Sequence, residues 1–227
     1  MPRRAACSSF MVGRWQRASS SSALARNAVQ FSDVVRSRRM TRSFESTPVA
    51  SSVLHSCVEL GLRAPSAGKS QGWHVVLLQG EETSRYWDVA LAQEKRASFA
   101  FPGLLKAPVI ALMLADSSAY LQRYSEPDKQ HTGLGASEEV WPAPYWTIDA
   151  SFSTMTFLHA LEDNGLGALF FAHANEGGLR AEFGLPDHVQ ILGTVALGYP
   201  ATGDARPGRS ASRVGKSVDD VIHHSQW

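Results

Sequence analysis

Apolar residues in this chain follow two patterns, helical spacing and short continuous runs. Positions recurring every three or four residues predict amphipathic helices, at 31–38, 50–62, 82–97 and 147–163. Continuous runs rich in β-branched and aromatic residues predict strands, at 73–78, 108–114, 166–171 and 189–199. A further short helix is predicted after the third strand, ending near Phe183. The pattern therefore predicts one unit that mixes helices and strands.

Local signals refine these elements. Ser32 is predicted to be the N-cap of the first helix, and Gly165 to end the helix at 147–163 in a left-handed conformation. The segment 116–145 is rich in proline and glycine and is predicted to be irregular, serving as a partial lid over a site or as a dimer contact. The helix at 147–163 carries an apolar stripe predicted to face the core, formed by Ile148, Phe152, Met155, Leu158 and Leu161.

The stretch from Arg63 to His74 is predicted to be a rigid turn that leads into the first strand. Pro65 cannot continue a helix, and Gly68 permits backbone angles closed to most residues. Ser66, Lys69, Ser70 and Gln71 give the turn several hydrogen-bonding side chains. They suit a ligand, although an ordinary connection between helix and strand would show the same features.

Composition narrows the function classes. The chain has 227 residues, enough for one well-cored domain. Its 22 basic and 21 acidic residues give a net charge of +1, which argues against a broad nucleic-acid or membrane surface. No apolar run approaches the roughly 20 residues of a membrane span. Two cysteines do not make the framework of a disulfide-rich secreted domain.

The first 28 residues differ from the remainder, 29–227, which forms the predicted domain. They contain five arginines, six serines and no acidic residue. This composition is typical of a mitochondrial transit peptide, and equally of a disordered basic tail or an upstream extension. The predicted location is the cytoplasm, or the mitochondrion if this segment acts in targeting.

Arginines are concentrated in two separate places. Arg36, Arg38, Arg39 and Arg42 fall within seven positions, and a second group lies at 206–213. Guanidinium groups so close repel one another unless an anion lies among them, and their forked donors suit phosphate oxygens. A phosphate site and a solvated basic patch both explain the first cluster.

Side-chain catalysis has little support in the sequence. There is no nucleophile elbow, no zinc-ligand spacing, no phosphate-binding loop of the Walker type and no dinucleotide glycine fingerprint after the first strand. We therefore expect no catalytic side chain and no metal. Two cationic clusters and a polar turn instead suit a phosphorylated cofactor that carries its own chemistry.

Several short motifs together resemble the nitroreductase family of FMN-dependent oxidoreductases. They run from about Phe31 to the C-terminus, and no single one is decisive. The resemblance implies an α+β fold in which helices flank a mainly antiparallel sheet, and an intertwined homodimer with FMN at the interface. The motifs are Arg38-Arg39-Met40-Thr41-Arg42-Ser43-Phe44, the segment from Ala64 to Trp73, Gly165-Leu166-Gly167, Glu176-Gly177, Phe183-Gly184-Leu185-Pro186 and Leu197-Gly198-Tyr199-Pro200.

The resemblance also assigns FMN-binding roles by position. Arg38, Arg39, Met40 and Arg42 match the cluster that holds the FMN phosphate and the pyrimidine edge. Pro65, Ser66, Ala67 and Lys69 match the partner-chain turn against the flavin ring. Glu176 and Gly177 match the segment whose amide faces flavin N5, and Arg209 and Arg213 the C-terminal phosphate cations. Lys69 stands where an asparagine is frequent, and Gly72 where a proline is common.

The implied activity is a ping-pong reaction. NADH or NADPH gives hydride to flavin N5 and leaves, and a small nitroaromatic, quinone or similar acceptor then takes two electrons. Trp141, Tyr145 and Trp146 either line the acceptor slot or pack in the core. The same scaffold also resembles enzymes that dehalogenate, oxidise azoline rings or fragment flavin, and a non-catalytic flavin-binding protein is the alternative from another class.

Overall fold

The computed structural model describes residues 30–203 and 212–227. Its strands form one antiparallel sheet in the order β1-β2-β4-β3, so β1 and β3 are the edges. This confirms the α+β class and all four predicted strands. The strands are β1 Trp73–Gln79, β2 Val109–Asp116, β3 Gly167–Phe171 and β4 Val189–Gly198.

Helices cover both faces of the sheet. On one face, α2 and α6 pack against Val109, Ala111 and Met113 of β2, and on the other α3 and α7 pack against Ile110 and Leu112. Burial on both faces explains why β2 is an uninterrupted apolar run. The helices are α1 Phe31–Ser37, α2 Ser51–Gly61, α3 Thr83–Ala90, α4 Gln93–Arg96, α5 Ser118–Tyr124, α6 Tyr145–Asp163 and α7 Glu176–Phe183.

Three local predictions were wrong. The helix at 82–97 is two helices, because the backbone turns extended at Leu91. Ser32 lies inside α1, whose N-cap is Gln30 without a side-chain capping bond. The segment predicted to be irregular begins with α5, since Tyr120 of that helix is buried in the core. Gly165, in contrast, has the predicted left-handed conformation, with φ of 72°.

The stripe predicted on α6 is also wrong in part. Phe152 and Met155 are 48% and 37% exposed, while Asp149, Ser153 and Thr154 are buried. The polar residues tolerate burial because they have partners; the Thr154 hydroxyl, for example, accepts a hydrogen bond from the Trp73 indole at 3.1 Å. An apolar stripe on α6 is thus left on the surface of the single chain.

The segment between α5 and α6 packs on the aromatic core. The Trp141 indole donates to the Leu134 carbonyl at 2.8 Å, and its ring lies 4.7 Å from that of Tyr124. Trp141 and Trp146 are 8% and 9% exposed, so both pack in the core, whereas Tyr145 is 36% exposed. Of the three aromatic candidates for an acceptor slot, Tyr145 alone keeps substantial exposure.

Cys57 on α2 is fully buried. Burial, and then the nearby Asp163 charge, raise the pKa of its thiol to about 11, so it stays protonated. Among the helices that the structure describes, none combines the length and the apolar character needed to cross a membrane. The described residues also contain no cluster of histidine, cysteine and acidic groups arranged to hold a metal.

Candidate functional site

The first arginine cluster lies along an edge of the sheet. Met40 forms a parallel bridge with Ala168 of β3, and the Thr41 amide donates to the Ala168 carbonyl at 3.0 Å. Further on, Phe44 is 1% exposed and bridges to Pro200, just after β4. Backbone pairing and one buried ring therefore hold the cluster in place beside β3.

Arg42 lines a cavity of about 230 Å³. Its guanidinium donates to the Met40 carbonyl at 3.1 Å and lies 5.7 Å from the centre of the Phe101 ring. Thr202 and Gly203, also in this cavity, lead directly into residues 204–211. Arg209 lies outside the described residues, and Arg213 is exposed in the C-terminal segment.

A larger cavity, of about 470 Å³, opens between α6 and the sheet. This volume is within the range of small-molecule sites. Of the residues that line this cavity, only Met40 was predicted from the sequence as a site residue. The apolar spacing along the chain predicts helices and strands but does not show which of their faces enclose a cavity. The lining is formed by Met40, Thr147, Ser151, Thr154, Met155, Leu158, Phe170, Gln190 and Leu192.

The N-terminus of α7 presents an open backbone amide. Asn175, at φ 53°, caps the helix through its side-chain oxygen, which accepts from the Gly178 amide at 3.2 Å. The side-chain amide of Asn175 also donates to the Val89 carbonyl, which ties the cap to α3. The Gly177 N–H has no acceptor in the described part of the chain. Among the described residues outside its own helix turn, no atom lies within 4 Å of where a Gly177 Cβ would stand.

The Glu176 side chain is held against its own helix. One carboxylate oxygen accepts from Arg180 Nε at 3.0 Å and Nη2 at 2.7 Å, and the other lies 3.4 Å from His173 Nε2. Hydrogen bonding to Arg180, and then to His173, holds the pKa of Glu176 below its usual value. The carboxylate is thus ionised and neutralised locally, while the backbone beside it stays open.

The turn before β1 is tightly wound. Gly68, Lys69 and Gln71 all have positive φ, of 60°, 61° and 55°. The Ser66 hydroxyl accepts from the Gln71 amide at 3.1 Å, and the Ser70 hydroxyl donates to the Ala67 carbonyl at 2.7 Å. Asparagine tolerates a left-handed backbone better than lysine, so Lys69 carries strain at this position.

Gly72 has a packing reason of its own. A Cβ there would collide with the Asp116 carbonyl and come within 2.8 Å of the Tyr120 ring. The Gly72 carbonyl also accepts from the Asp116 amide at 2.7 Å, which extends the pairing of β1 with β2. A proline would not fit this space, so the departure at Gly72 follows from the close approach of α5.

Asp149 of α6 anchors the turn, and sequence reasoning missed it. Its carboxylate accepts from the Ala67 amide at 2.7 Å and from the Tyr120 hydroxyl at 2.9 Å. Burial and the hydrogen bond to Asp149 both raise the pKa of Tyr120. From the other side, Arg123 donates to the Gly68 carbonyl at 2.8 Å. The available signal was an acidic residue near the start of α6, between the apolar Ile148 and Ala150.

The turn and the large cavity lie on opposite sides of α6. Asp149, which holds the turn, is two residues from both Thr147 and Ser151, which line the cavity. At about 100° per residue, two positions are nearly a half-turn around the helix. Pro65, Ser66, Ala67 and Lys69 are accordingly not among the residues of the cavity in this chain.

Comparison with known proteins identifies the family. The family model described as "Nitroreductase family" matches residues 35–199. The chain belongs to the nitroreductase family. This nitroreductase is 30% identical over 178 residues to an NADH dehydrogenase of Thermus thermophilus, covering 72% of this chain and 83% of that protein.

Solved structures confirm the fold. A nitroreductase family protein of Streptococcus pneumoniae has a TM-score of 0.67 at 18% identity, over 86% of this chain and 100% of its own. Nitroreductase CinD of Lactococcus lactis, in complex with 4-nitrophenol, has a TM-score of 0.66 at 18% identity, over 87% of this chain and 100% of its own. Nitroreductases are flavin-dependent oxidoreductases that use NAD(P)H, so the chain is an oxidoreductase of this type.

Proposed function

We propose that this nitroreductase binds FMN between two copies of the chain and transfers electrons from NADH or NADPH to small nitroaromatic or quinone acceptors. One observation carries the proposal. The cavity lies on one face of α6, and the turn that the resemblance places against the flavin lies on the opposite face. A single chain therefore cannot bring the two together. A second copy supplies the missing wall.

The surface of α6 supports the homodimer. Tyr145, Phe152 and Met155 are 36%, 48% and 37% exposed. At about 100° per residue, this stripe lies between the cavity side and the turn side of the helix. Large exposed apolar residues in a row are typical of an interface. Two copies packed through their α6 stripes would place the turn of one chain beside the cavity of the other.

The C-terminal segment supports an intertwined arrangement. Val214, Val218, Val221 and Ile222 are 97%, 69%, 61% and 51% exposed, and Trp227 is 100% exposed. Such residues find little to pack against within their own chain. The β1 edge of the sheet offers unpaired backbone groups to an incoming segment. We propose that this tail covers the second copy.

The residues that are present suit FMN. Arg38 and Arg39 directly precede Met40, which lines the cavity, and we propose that they bind the phosphate. The largely apolar cavity suits a flat ring system. At α7, Gly177 offers an amide donor with no side chain in the way, as a contact to flavin N5 requires. Bound FMN would supply the two-electron hydride chemistry.

Arg42 extends the proposed phosphate site toward the C-terminal segment. It reaches into the cavity with Thr202 and Gly203, toward the segment that contains Arg209. We propose that Arg42, Arg209 and Arg213 form the outer part of the phosphate site. The pyrimidine-edge role of Arg42 and the ring-facing roles of Pro65, Ser66, Ala67 and Lys69 remain proposals for the dimer.

The acceptor class draws on a relative. CinD of L. lactis is described in complex with 4-nitrophenol, and we propose a similar small aromatic acceptor for this chain. A flavin-binding protein without turnover is the competing function, in which the packed segment between α5 and α6 excludes acceptors. The proposed location is the cytoplasm, or the mitochondrion if residues 1–28, which lie outside the described residues, direct transport.

One experiment tests the proposal. Purified protein is incubated with FMN, freed of excess ligand, and reduced anaerobically with NADH or NADPH before a panel of acceptors is added. We expect a bound flavin spectrum, bleaching by at least one donor and reoxidation by nitroaromatics or quinones without loss of flavin. A colourless protein would refute FMN binding, and a bound flavin that no donor bleaches would favour the non-catalytic alternative.

A further inference from the structure

The structure assigns Gln190 as the hydrogen-bond donor that selects acceptors bearing a carbonyl or nitro oxygen. This inference rests on the proposed function and names a specificity residue for the same cavity. Neither the motif comparison nor the arginine clusters points to Gln190. Thr147 orients the amide group of Gln190.

Gln190 occupies a well-defined position at the start of β4. Its backbone pairs with Ala115 of β2, and its neighbours Val189 and Ile191 are 7% and 5% exposed. The side chain itself is exposed and lines the large cavity. A strand within a sheet moves little, so the side chain has a defined place at the cavity wall.

Thr147 of α6 fixes the orientation of the amide. Its hydroxyl donates to Gln190 Oε1, and the oxygens are 2.6 Å apart. With Oε1 engaged, the other end of the amide, Nε2, retains two N–H donors. Within the described part of the chain, Nε2 has no acceptor. The contact joins α6 to the sheet directly across the cavity.

Each of the other hydrogen-bonding side chains of the cavity has a protein partner, and Thr154, which uses only its acceptor, is 6% exposed. The Ser151 hydroxyl donates to the Thr147 carbonyl at 2.7 Å, and the Thr154 oxygen accepts from the Trp73 indole at 3.1 Å. The remaining lining is mostly apolar, as Leu158, Phe170 and Leu192 illustrate. Gln190 Nε2 is thus the amide donor that the described lining leaves for a ligand.

An uncharged donor in an apolar cavity favours one class of ligand. Carbonyl and nitro oxygens accept hydrogen bonds, and a ligand that lacks them leaves the Gln190 N–H groups desolvated without a partner. The donor carries no charge, so it does not require an anionic acceptor. Quinones and nitroaromatics meet this requirement, whereas aromatic rings that carry no hydrogen-bond acceptor do not.

The test uses substitutions that keep the side-chain shape. Gln190→Met removes both donors, and Thr147→Val removes the hydroxyl that orients them. Gln122→Met, on the exposed face of α5, is the matched control. For each variant, calorimetry measures 4-nitrophenol binding to the oxidised FMN-loaded protein, and a separate fluorescence titration measures FMN affinity. KM and kcat with a quinone complete the comparison.

We expect Gln190→Met to weaken 4-nitrophenol binding by about tenfold, the loss of one hydrogen bond, with KM for the quinone rising in parallel. Thr147→Val should weaken binding less, because the donors remain but rotate freely. FMN affinity should be kept in both, and the Gln122 control should match the wild type in every measurement.

Two results would overturn the inference. Unchanged nitrophenol binding in Gln190→Met would show that the donor is not used. A loss of FMN affinity with an unchanged quinone KM would place the contact on the cofactor instead. A wild type that does not bind FMN refutes the proposed function itself, so the two failures are distinguishable.

Discussion

Replacing Gly177 with alanine tests whether glycine at this position is required for stability or for ligand binding. Gly177 lies in the first turn of α7, and in the described part of the chain a Cβ at this position would meet no atom of another element within 4 Å. Its backbone is not in the left-handed region that favours glycine. The single chain therefore has no steric reason to require glycine here.

The expected effect on stability follows from helix propensity. Alanine is favoured over glycine in a helix by about 0.5–1 kcal/mol. For a domain of this size, that gain raises the melting temperature of the apoprotein by about 1–4 °C. Differential scanning calorimetry of the FMN-free protein measures this shift.

The expected effect on the ligand has the opposite sign. If the Gly177 amide contacts the flavin, a methyl group enters that contact, and overpacking costs about 1–3 kcal/mol. FMN affinity should then fall between about fivefold and 150-fold. Flavin fluorescence titration measures the affinity of Gly177→Ala against that of the wild type. A more stable Gly177→Ala protein with unchanged FMN affinity would refute the placement of Gly177 at the flavin.

Three further predictions concern the turn and its surroundings. Asp149→Ala should lower the free energy of unfolding by about 2–4 kcal/mol in urea titrations, because two inward-facing donors lose their acceptor. The control Asp187→Ala, at an exposed position, should lower it by less than about 0.5 kcal/mol, and an equally small loss at Asp149 would contradict its anchoring role. Lys69→Asn should raise the unfolding free energy by about 0.5–1 kcal/mol because asparagine tolerates a left-handed backbone, and an unchanged urea midpoint would show that lysine is not strained there. The hydrogen bond from Arg123 lowers the pKa of Asp128 from 3.8 to about 2. The ionised Asp128 therefore stabilises the fold above pH 4, and this stabilisation is lost as pH falls toward 2. The melting temperature of Asp128→Asn should lack this part of the acid dependence, and pH profiles identical to those of the wild type would contradict the pairing.

The strands were the most predictable part of the fold. β2 is buried on both faces, so its apolar run is continuous and its bounds are clear from the sequence. The helices were less predictable where tertiary contacts, and not the apolar spacing along the chain, decide which residues are buried. α6 buries Asp149 and exposes Phe152, because the turn supplies hydrogen-bond donors on one side and a second chain is expected on the other.

Some residues of the candidate site were predictable from the sequence and others were not. Met40 and Gly177 lie in short motifs, and these could be recognised along the chain. Gln190 and Asp149 gave no such signal, since each acts through a partner distant in sequence, Thr147 for one and Ala67 for the other. Pairings of that kind depend on which helix faces pack together, and hydrophobic periodicity does not specify them.

The central claim is that one FMN site takes its cavity from one chain and its turn from the other. Two variants test it: Leu192→Trp, which fills the cavity, and Lys69→Glu, which alters the turn. Each homodimer alone should bind FMN poorly. Differently tagged chains are then mixed, unfolded and refolded together, and the heterodimer is purified through both tags for FMN titration.

In that heterodimer one site carries both defects and the other carries none. We expect one FMN bound per heterodimer, with an affinity close to that of the wild type. If cavity and turn of each site belonged to the same chain, both sites would carry one defect and the heterodimer would bind as poorly as its parents. That result would show that the site is not shared between the two chains.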